Sequence, residues 1–241
     1  TVYDQRERRV VGATVLAQPA ALNQASTGSD GRYTLALSDG GTYQVTTSHP
    51  FHALLPPMKG LDVSSNVDGI LFHLPPRENW IQNGDFESTG SWIVEGVVPP
   101  APVQGTGHTG DFALRLGESP QDAGVSLPWT WTVRQTVAMP GDARELTLDW
   151  MYRVEGAMRP GDQLLVAVEG RSEMVQPLSL SASEWAHEWL DLTSFAGQEV
   201  TVSFVLRCQS DGDPLTVWLD EVGLGTNTLG HAFLPIVVRS P

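Results

Sequence analysis

Cysteine is nearly absent from this 241-residue chain, in which Cys208 stands alone. No internal disulfide can form, and a thiolate zinc site cannot be built from the chain itself. Cys208 lies in the apolar run 202–208, where it reads as a small core residue and not a reactive thiol. Positive charge is scarce too. Fourteen Lys and Arg stand against 28 Asp and Glu, a formal net charge of −14, and Lys59 is the sole lysine. A phosphate backbone would be repelled, so nucleic acid is excluded as a partner, and anionic membrane surfaces are disfavoured for the same reason. No run of 18 apolar residues is present, so no helical membrane span is expected. Gly-x-Ser-x-Gly, His-Glu-x-x-His and a Gly-rich phosphate loop are all missing, and the six histidines are scattered. The chain therefore reads as a non-enzyme.

What remains is β-rich. Hydrophobic residues make up 41% and charged residues 17%, with 24 Gly and 17 Pro: too apolar for disorder and too interrupted for a helical bundle. Residues 1–76 carry short alternating runs at 10–16, 32–37, 43–47 and 70–74, separated by turn signals such as Asp30-Gly31 and Asp39-Gly40-Gly41. They predict a small antiparallel β-sandwich. Pro75 and Pro76 stiffen the chain and mark a boundary. Residues 77–225 alternate over 145–154, 163–169, 199–208 and 215–224, which predicts a jelly-roll β-sandwich. In 145–154 the alternation places Leu146, Leu148, Trp150, Tyr152 and Val154 on one face. The polar stretch after Gly225 reads as a linker, so residues 226–241 form a linker and a C-terminal β-strand tail.

Two family resemblances accompany this reading. Val11-Gly12-Ala13-Thr14-Val15, then 27–35 (Thr-Gly-Ser-Asp-Gly-Arg-Tyr-Thr-Leu), then Gly41-Thr42-Tyr43-Gln44-Val45-Thr46 resemble the carboxypeptidase regulatory-like (transthyretin-like) domains of surface proteins. The resemblance implies a non-catalytic spacer. The chain begins almost on the segment Val2-Tyr3-Asp4, so its first strand should be short and leave a sheet edge open to an added strand. Further on, Asn83-Gly84-Asp85-Phe86-Glu87 with Trp92, then 110–116, Val133-Arg134-Gln135-Thr136-Val137, Leu190-Asp191-Leu192 and Val217-Trp218-Leu219-Asp220-Glu221-Val222 resemble galactose-binding-like jelly rolls. Many carbohydrate-binding modules have that fold, and it also serves purely structural roles. Together the resemblances imply a secreted bacterial protein, extracellular or at the cell surface.

The jelly-roll resemblance further implies a structural calcium. Asp85, Glu87 and Asp220 are its candidate ligands, and carboxylate oxygens suit Ca²⁺; turn and edge carboxylates are the competing reading. Glycan recognition would need aromatic platforms beside polar groups. Trp129, Trp131, Trp185, Trp189 and Trp218 are available, and Trp129 and Trp131, two apart, would share a strand face. Sandwich packing competes for each of them. His52, His108 and His231 lie near turn-like stretches and read as solvated or locally hydrogen-bonded.

The tail carries Leu234, Ile236 and Val238 on one strand face and Phe233 and Val237 on the other. A strand apolar on both faces must be covered on both. Two functions follow, and the first is favoured because it connects the short first strand with the doubly apolar tail. In the first, the tail of one copy completes the short-edged N-terminal domain of the next, and the homo-oligomer grows head to tail as an extracellular filament or surface layer. In the second, the tail packs on its own chain and the protein is a carbohydrate-binding or adhesive module.

Overall fold

The computed structural model describes residues 1–18, 23–37, 41–50, 52, 61–64, 67–117, 128–143, 145–156, 159–171, 173–179, 181–209 and 215–226. The fold is nearly all β, with antiparallel sheets forming a β-sandwich. Its strands are β1 (Val2–Tyr3), β2 (Thr14–Gln18), β3 (Asn23–Ser26), β4 (Gly41–Ser48), β5 (Leu61–Val63), β6 (Phe72–His73), β7 (Glu78–Asn79), β8 (Ile93–Gly96) and β9 (Ala101–Gln104). They continue as β10 (Phe112–Leu116), β11 (Trp129–Ala138), β12 (Thr147–Glu155), β13 (Gln163–Glu169), β14 (Glu173–Pro177), β15 (Ala186–Asp191), β16 (Glu199–Cys208) and β17 (Thr216–Thr226). No helix among the described residues is long and apolar enough to cross a membrane.

Buried apolar side chains of the described residues gather into two clusters. The smaller draws on Val2, Val15, Val45, Phe72 and Leu74, beneath the antiparallel sheet β3-β2-β4-β5. β1 is only two residues long and pairs with β6 in parallel, so the first lobe is not wholly antiparallel. Residues 32–37 do not join a ladder, although Tyr33, Leu35 and Leu37 still pack on this cluster. Their alternation reflects packing without strand pairing. The larger cluster lies between the sheets β15-β12-β17-β10-β9 and β14-β13-β16-β11-β8, with Trp131, Trp150, Tyr152, Phe195 and Phe204 at its centre. Cys208 belongs to it, and burial pushes its thiol up to about 11. A thiol so raised is inert at neutral pH.

The crossing between lobes is tightly packed. Pro76 is buried, and a Cβ built on Gly225 would stand 2.5 Å from Pro76 Cβ and 1.9 Å from the carbonyl oxygen of Glu78. Backbone at that distance cannot yield cheaply. Gly225→Ala is therefore expected to cost about 1 to 3 kcal/mol. An unchanged urea midpoint would show that the junction is slack.

β12 explains how the lobes meet. Its Leu148, Trp150, Tyr152 and Val154 enter the large core as their alternation requires. The opposite face carries Thr147, Asp149 and Met151, which are buried as well. Residues 4–8 of the first lobe cover that face.

Candidate functional site

The covering segment is a tight turn held by its own first residue. Asp4 Oδ1 accepts hydrogen bonds from the backbone N–H groups of Arg6 and Arg8, both at 2.9 Å, and Glu7 N–H donates to the Asp4 carbonyl at 3.1 Å. Glu7 pays for the turn with a left-handed φ of 57°. Gln5, fully buried, donates through Nε2 to the Asp149 carboxylate and to the Thr147 carbonyl. Arg6 donates to Thr147 Oγ1 at 2.7 Å and lies 5.3 Å from the centre of the Trp189 ring. Arg8 pairs with Glu145 at 2.7 Å. Both arginines are thereby engaged beside the sheet, whereas Glu7 faces a cavity.

That cavity, about 380 Å³, opens on the outer face of the sheet at the junction of the lobes. Tyr3 and Trp185 give it aromatic walls, and Glu7, His73, His108 and His187 supply polar groups. Trp185 is clamped. Its ring lies 5.5 Å from that of His108 and 5.4 Å from the Arg153 guanidinium, which also lies 5.8 Å from Trp218. Tyr3, His73 and His187 form a ladder of rings, 5.7 Å between the first two and 3.9 Å between the last two. The His73 and His187 pair, with Met151, also bounds a second recess of about 210 Å³ that reaches Asp149 and Glu221.

A bulge shapes the floor. Asp149 of β12 faces Gly223 of β17, but Met151 faces Asp220, so β17 holds one residue more than its partner. Glu221 absorbs it with a φ of 51°. Bulges re-aim side chains. Here two successive carboxylates, Asp220 and Glu221, meet the same loop: Asp220 Oδ2 accepts from His108 N–H at 2.7 Å, and Glu221 accepts from the Thr109 hydroxyl. Burial alone would raise the Glu221 carboxyl, but His108, whose Nδ1 is 3.2 Å away, and the Thr109 hydrogen bond hold it below its ordinary range. Burial opposes charge on His108 as well, yet Glu221 raises that imidazole above its ordinary value. Burial, then the charge of Glu221, keeps Asp220 well above the usual carboxylate range. Burial and the neighbouring His187 push His73 down to about 3, so its ring is neutral. Asp149 is raised to about 6, chiefly by burial.

The residues singled out from sequence fall elsewhere in part. Trp129 and Trp131 are 9% and 0% exposed, pack edge to face at 6.3 Å and belong to the large core. They do share a face, but it is the inner one, so neither offers a sugar platform. Trp185, in contrast, stands at the edge of the cavity. Glu87 Oε1 accepts the N–H groups of Asp111 and Phe112 at 2.6 and 2.8 Å, and Asp85 Oδ1 lies 3.4 Å from Glu87 N. Asp220 is committed to His108 and Glu221 backbone. Among the described residues Asp85, Glu87 and Asp220 do not form a group of ligand atoms within common reach. His108, read as solvated or locally bonded, is half-buried and ion-paired; His52 Nδ1 lies 3.2 Å from the Pro75 carbonyl. His231 and the tail residues Phe233, Leu234, Ile236, Val237 and Val238 lie outside the described residues.

His73 and His187 were invisible as a pair because they are far apart in sequence and on different lobes. The bulge did leave a trace. Core residues of β17 run Val217, Leu219, then Val222 and Leu224, a change of phase at Asp220 and Glu221.

No protein-family model matches the chain. No curated protein matches it either. Among solved structures, TmCBM61 in complex with beta-1,4-galactotriose is similar at 16% identity, over 61% of this chain and 97% of that chain, with a TM-score of 0.46. Family 16 Carbohydrate Binding Module-2 is similar at 18% identity, over 61% and 99% of the two chains, with a TM-score of 0.39. The CBM22-1 xylan-binding domain from Paenibacillus barcinonensis Xyn10C follows at 11% identity, over 61% and 89%, with a TM-score of 0.40. Likeness this distant transfers no ligand and no binding residue to the chain.

Proposed function

We propose that this protein is a non-catalytic module that binds a neutral glycan in the cavity between its two lobes. The observation that carries the reading is the cavity of about 380 Å³ with aromatic walls from Tyr3 and Trp185 and polar groups between them. Sugars present apolar C–H faces and hydroxyl edges, which call for a fixed aromatic ring beside hydrogen-bonding groups. Trp185 is fixed by His108 on one contact and Arg153 on another. The carboxylate of Glu7 in the cavity, on a chain of net charge −14, disfavours an acidic polysaccharide. Secretion and an extracellular place fit such a role and are proposed with it.

Head-to-tail assembly through residues 231–239 draws on a segment outside the described residues, and no described contact favours it. The glycan reading is therefore the one supported. Affinity electrophoresis in gels containing neutral polysaccharides tests it. Retardation of the wild-type chain in at least one neutral gel, lost in Trp185→Ala and absent with a uronic-acid polymer, is the expected result. Equal retardation of both proteins, or of neither in a broad neutral panel, would remove the cavity as a glycan site.

A further inference from the structure

Residues 4–8 form one turn, and most of its side chains hold that turn in place. Asp4 binds the turn's own backbone, Gln5 binds Asp149, Arg6 binds Thr147 and Arg8 pairs with Glu145. Glu7 has no such task. Its side chain is 59% exposed, faces the cavity, and has no hydrogen-bond partner among the described residues. Nδ1 of His187 stands 3.6 Å from Glu7 Oε1, which is beyond hydrogen-bond length. The arginines on either side of Glu7 are drawn to Asp4, Glu145 and Asp191, so they do not neutralise it.

The backbone makes this glutamate harder to account for by stability. Glu7 holds a left-handed φ of 57°, a conformation that penalises any residue with a Cβ and costs glycine nothing. Glycine would close the same turn, because the bond from the residue 7 N–H to the Asp4 carbonyl is made by backbone alone. A strained residue whose side chain secures no neighbour, and which points into a cavity, has the marks of a functional group.

Its chemistry indicates the function. A carboxylate only accepts hydrogen bonds, and it does so through two oxygens. Hydroxyls on adjacent ring carbons of a sugar are close enough to donate to both oxygens at once, and bonds to a charged acceptor are the stronger kind. A sugar lying against the fixed Trp185 ring turns its hydroxyls outward to the polar groups of the cavity. We propose that Glu7 is the specificity-determining residue of the cavity and grips two adjacent free hydroxyls of the bound sugar through both carboxylate oxygens. The inference rests on the glycan reading and narrows its ligand class. Neutral polymers whose linked sugars keep two adjacent hydroxyls free should bind. Polymers linked through the hydroxyl that lies between two others leave no such pair and should not.

Affinity electrophoresis of the full-length chain tests this, with xyloglucan, galactomannan and galactan set against laminarin, whose linkage consumes the middle hydroxyl. The wild type should be retarded by at least one of the first three and not by laminarin at equal mass. Glu7→Gly should weaken that retardation about 10- to 100-fold, the loss of hydrogen bonds to a charged group, and Glu7→Gln, with one acceptor oxygen left, should fall between. The melting temperature of Glu7→Gly should equal or exceed that of the wild type, since relief of the left-handed strain offsets the freedom glycine adds to the unfolded chain. A melting temperature lowered together with binding would make Glu7 a structural part of the turn and overturn the proposal. Retardation kept in Glu7→Gly but lost in Trp185→Ala, or equal retardation by laminarin, would overturn the role of Glu7 and leave the cavity as a glycan site. Retardation by none of the four polymers would remove both.

Discussion

Asp149→Ala is expected to destabilise the protein by about 2 to 3 kcal/mol, the cost of leaving buried polar partners unsatisfied. Asp149 is 5% exposed and is the point where three elements converge: β12 that carries it, the Gln5 amide from the first lobe and the His187 ring from β15. Truncation leaves Gln5 with only the Thr147 carbonyl, at 3.3 Å, and leaves His187 Nε2 facing a void. The damage should fall on the docking of the lobes and spare the large core, because none of these side chains belongs to it. Urea unfolding should therefore move to lower midpoint, and trypsin should cut faster after the exposed Arg77 at the junction. A variant that keeps the wild-type midpoint and the wild-type rate of cutting would show that the Gln5 contact contributes nothing.

The second large effect is on acid stability, and it appears only when the opposing groups are separated. His73 has a folded pKa of about 3, below its ordinary 6.5, so between those values the unfolded chain binds one more proton. Its contribution is complete above pH 6.5 and is lost as pH falls. Asp149 works in reverse. Its folded pKa of about 6 exceeds the ordinary 3.8, so between those values the folded chain binds the extra proton and gains stability as pH falls. Between about pH 6 and 4 the two slopes, each about 1.4 kcal/mol per pH unit, oppose each other. His108 and Glu221 hold each other charged across much of that range and add little slope, while Asp220, raised as Asp149 is, adds the same slope to wild type and variant and cancels in their comparison. Asp149→Asn keeps the shape and removes one of the two terms. Relative to wild type, its stability should fall by about 1.4 kcal/mol for each pH unit from 6 to 4, measured from urea midpoints. Parallel pH profiles for the two proteins would contradict the assignment of these protons.

Much of the fold was legible where alternation is strict. The run 163–169 is β13 and the run 199–208 is β16, each bounded as its pattern suggests, because both strands lie inside a sheet and bury one face in the large core. Legibility failed where burial came from another lobe. The polar face of β12 carries Asp149 and Thr147, which sequence patterning marks as the side away from the core, yet residues 4–8 cover it. Alternation likewise could not say which face of β11 points inward, so Trp129 and Trp131 invited a surface role that their burial denies. The segment 32–37 shows the converse failure, a strand-like pattern that packs without pairing.

The candidate site was less legible than the fold. Its residues come from positions 3–8, 73, 108, 149, 185, 187 and 220–221, brought together by lobe docking and by one bulge, neither of which has a local motif. Only the change of phase between Leu219 and Val222 could have announced the bulge.

The most direct test of glycan recognition in the cavity is titration of the protein with a soluble neutral polysaccharide, followed through the indole N–H signals of its tryptophans. Trp185 stands at the cavity, whereas Trp131 and Trp150 are 0% and 1% exposed in the core. A saturable shift of the Trp185 signal, with those of Trp131 and Trp150 unmoved, is the result the cavity predicts. Saturable binding that leaves the Trp185 signal in place would contradict it.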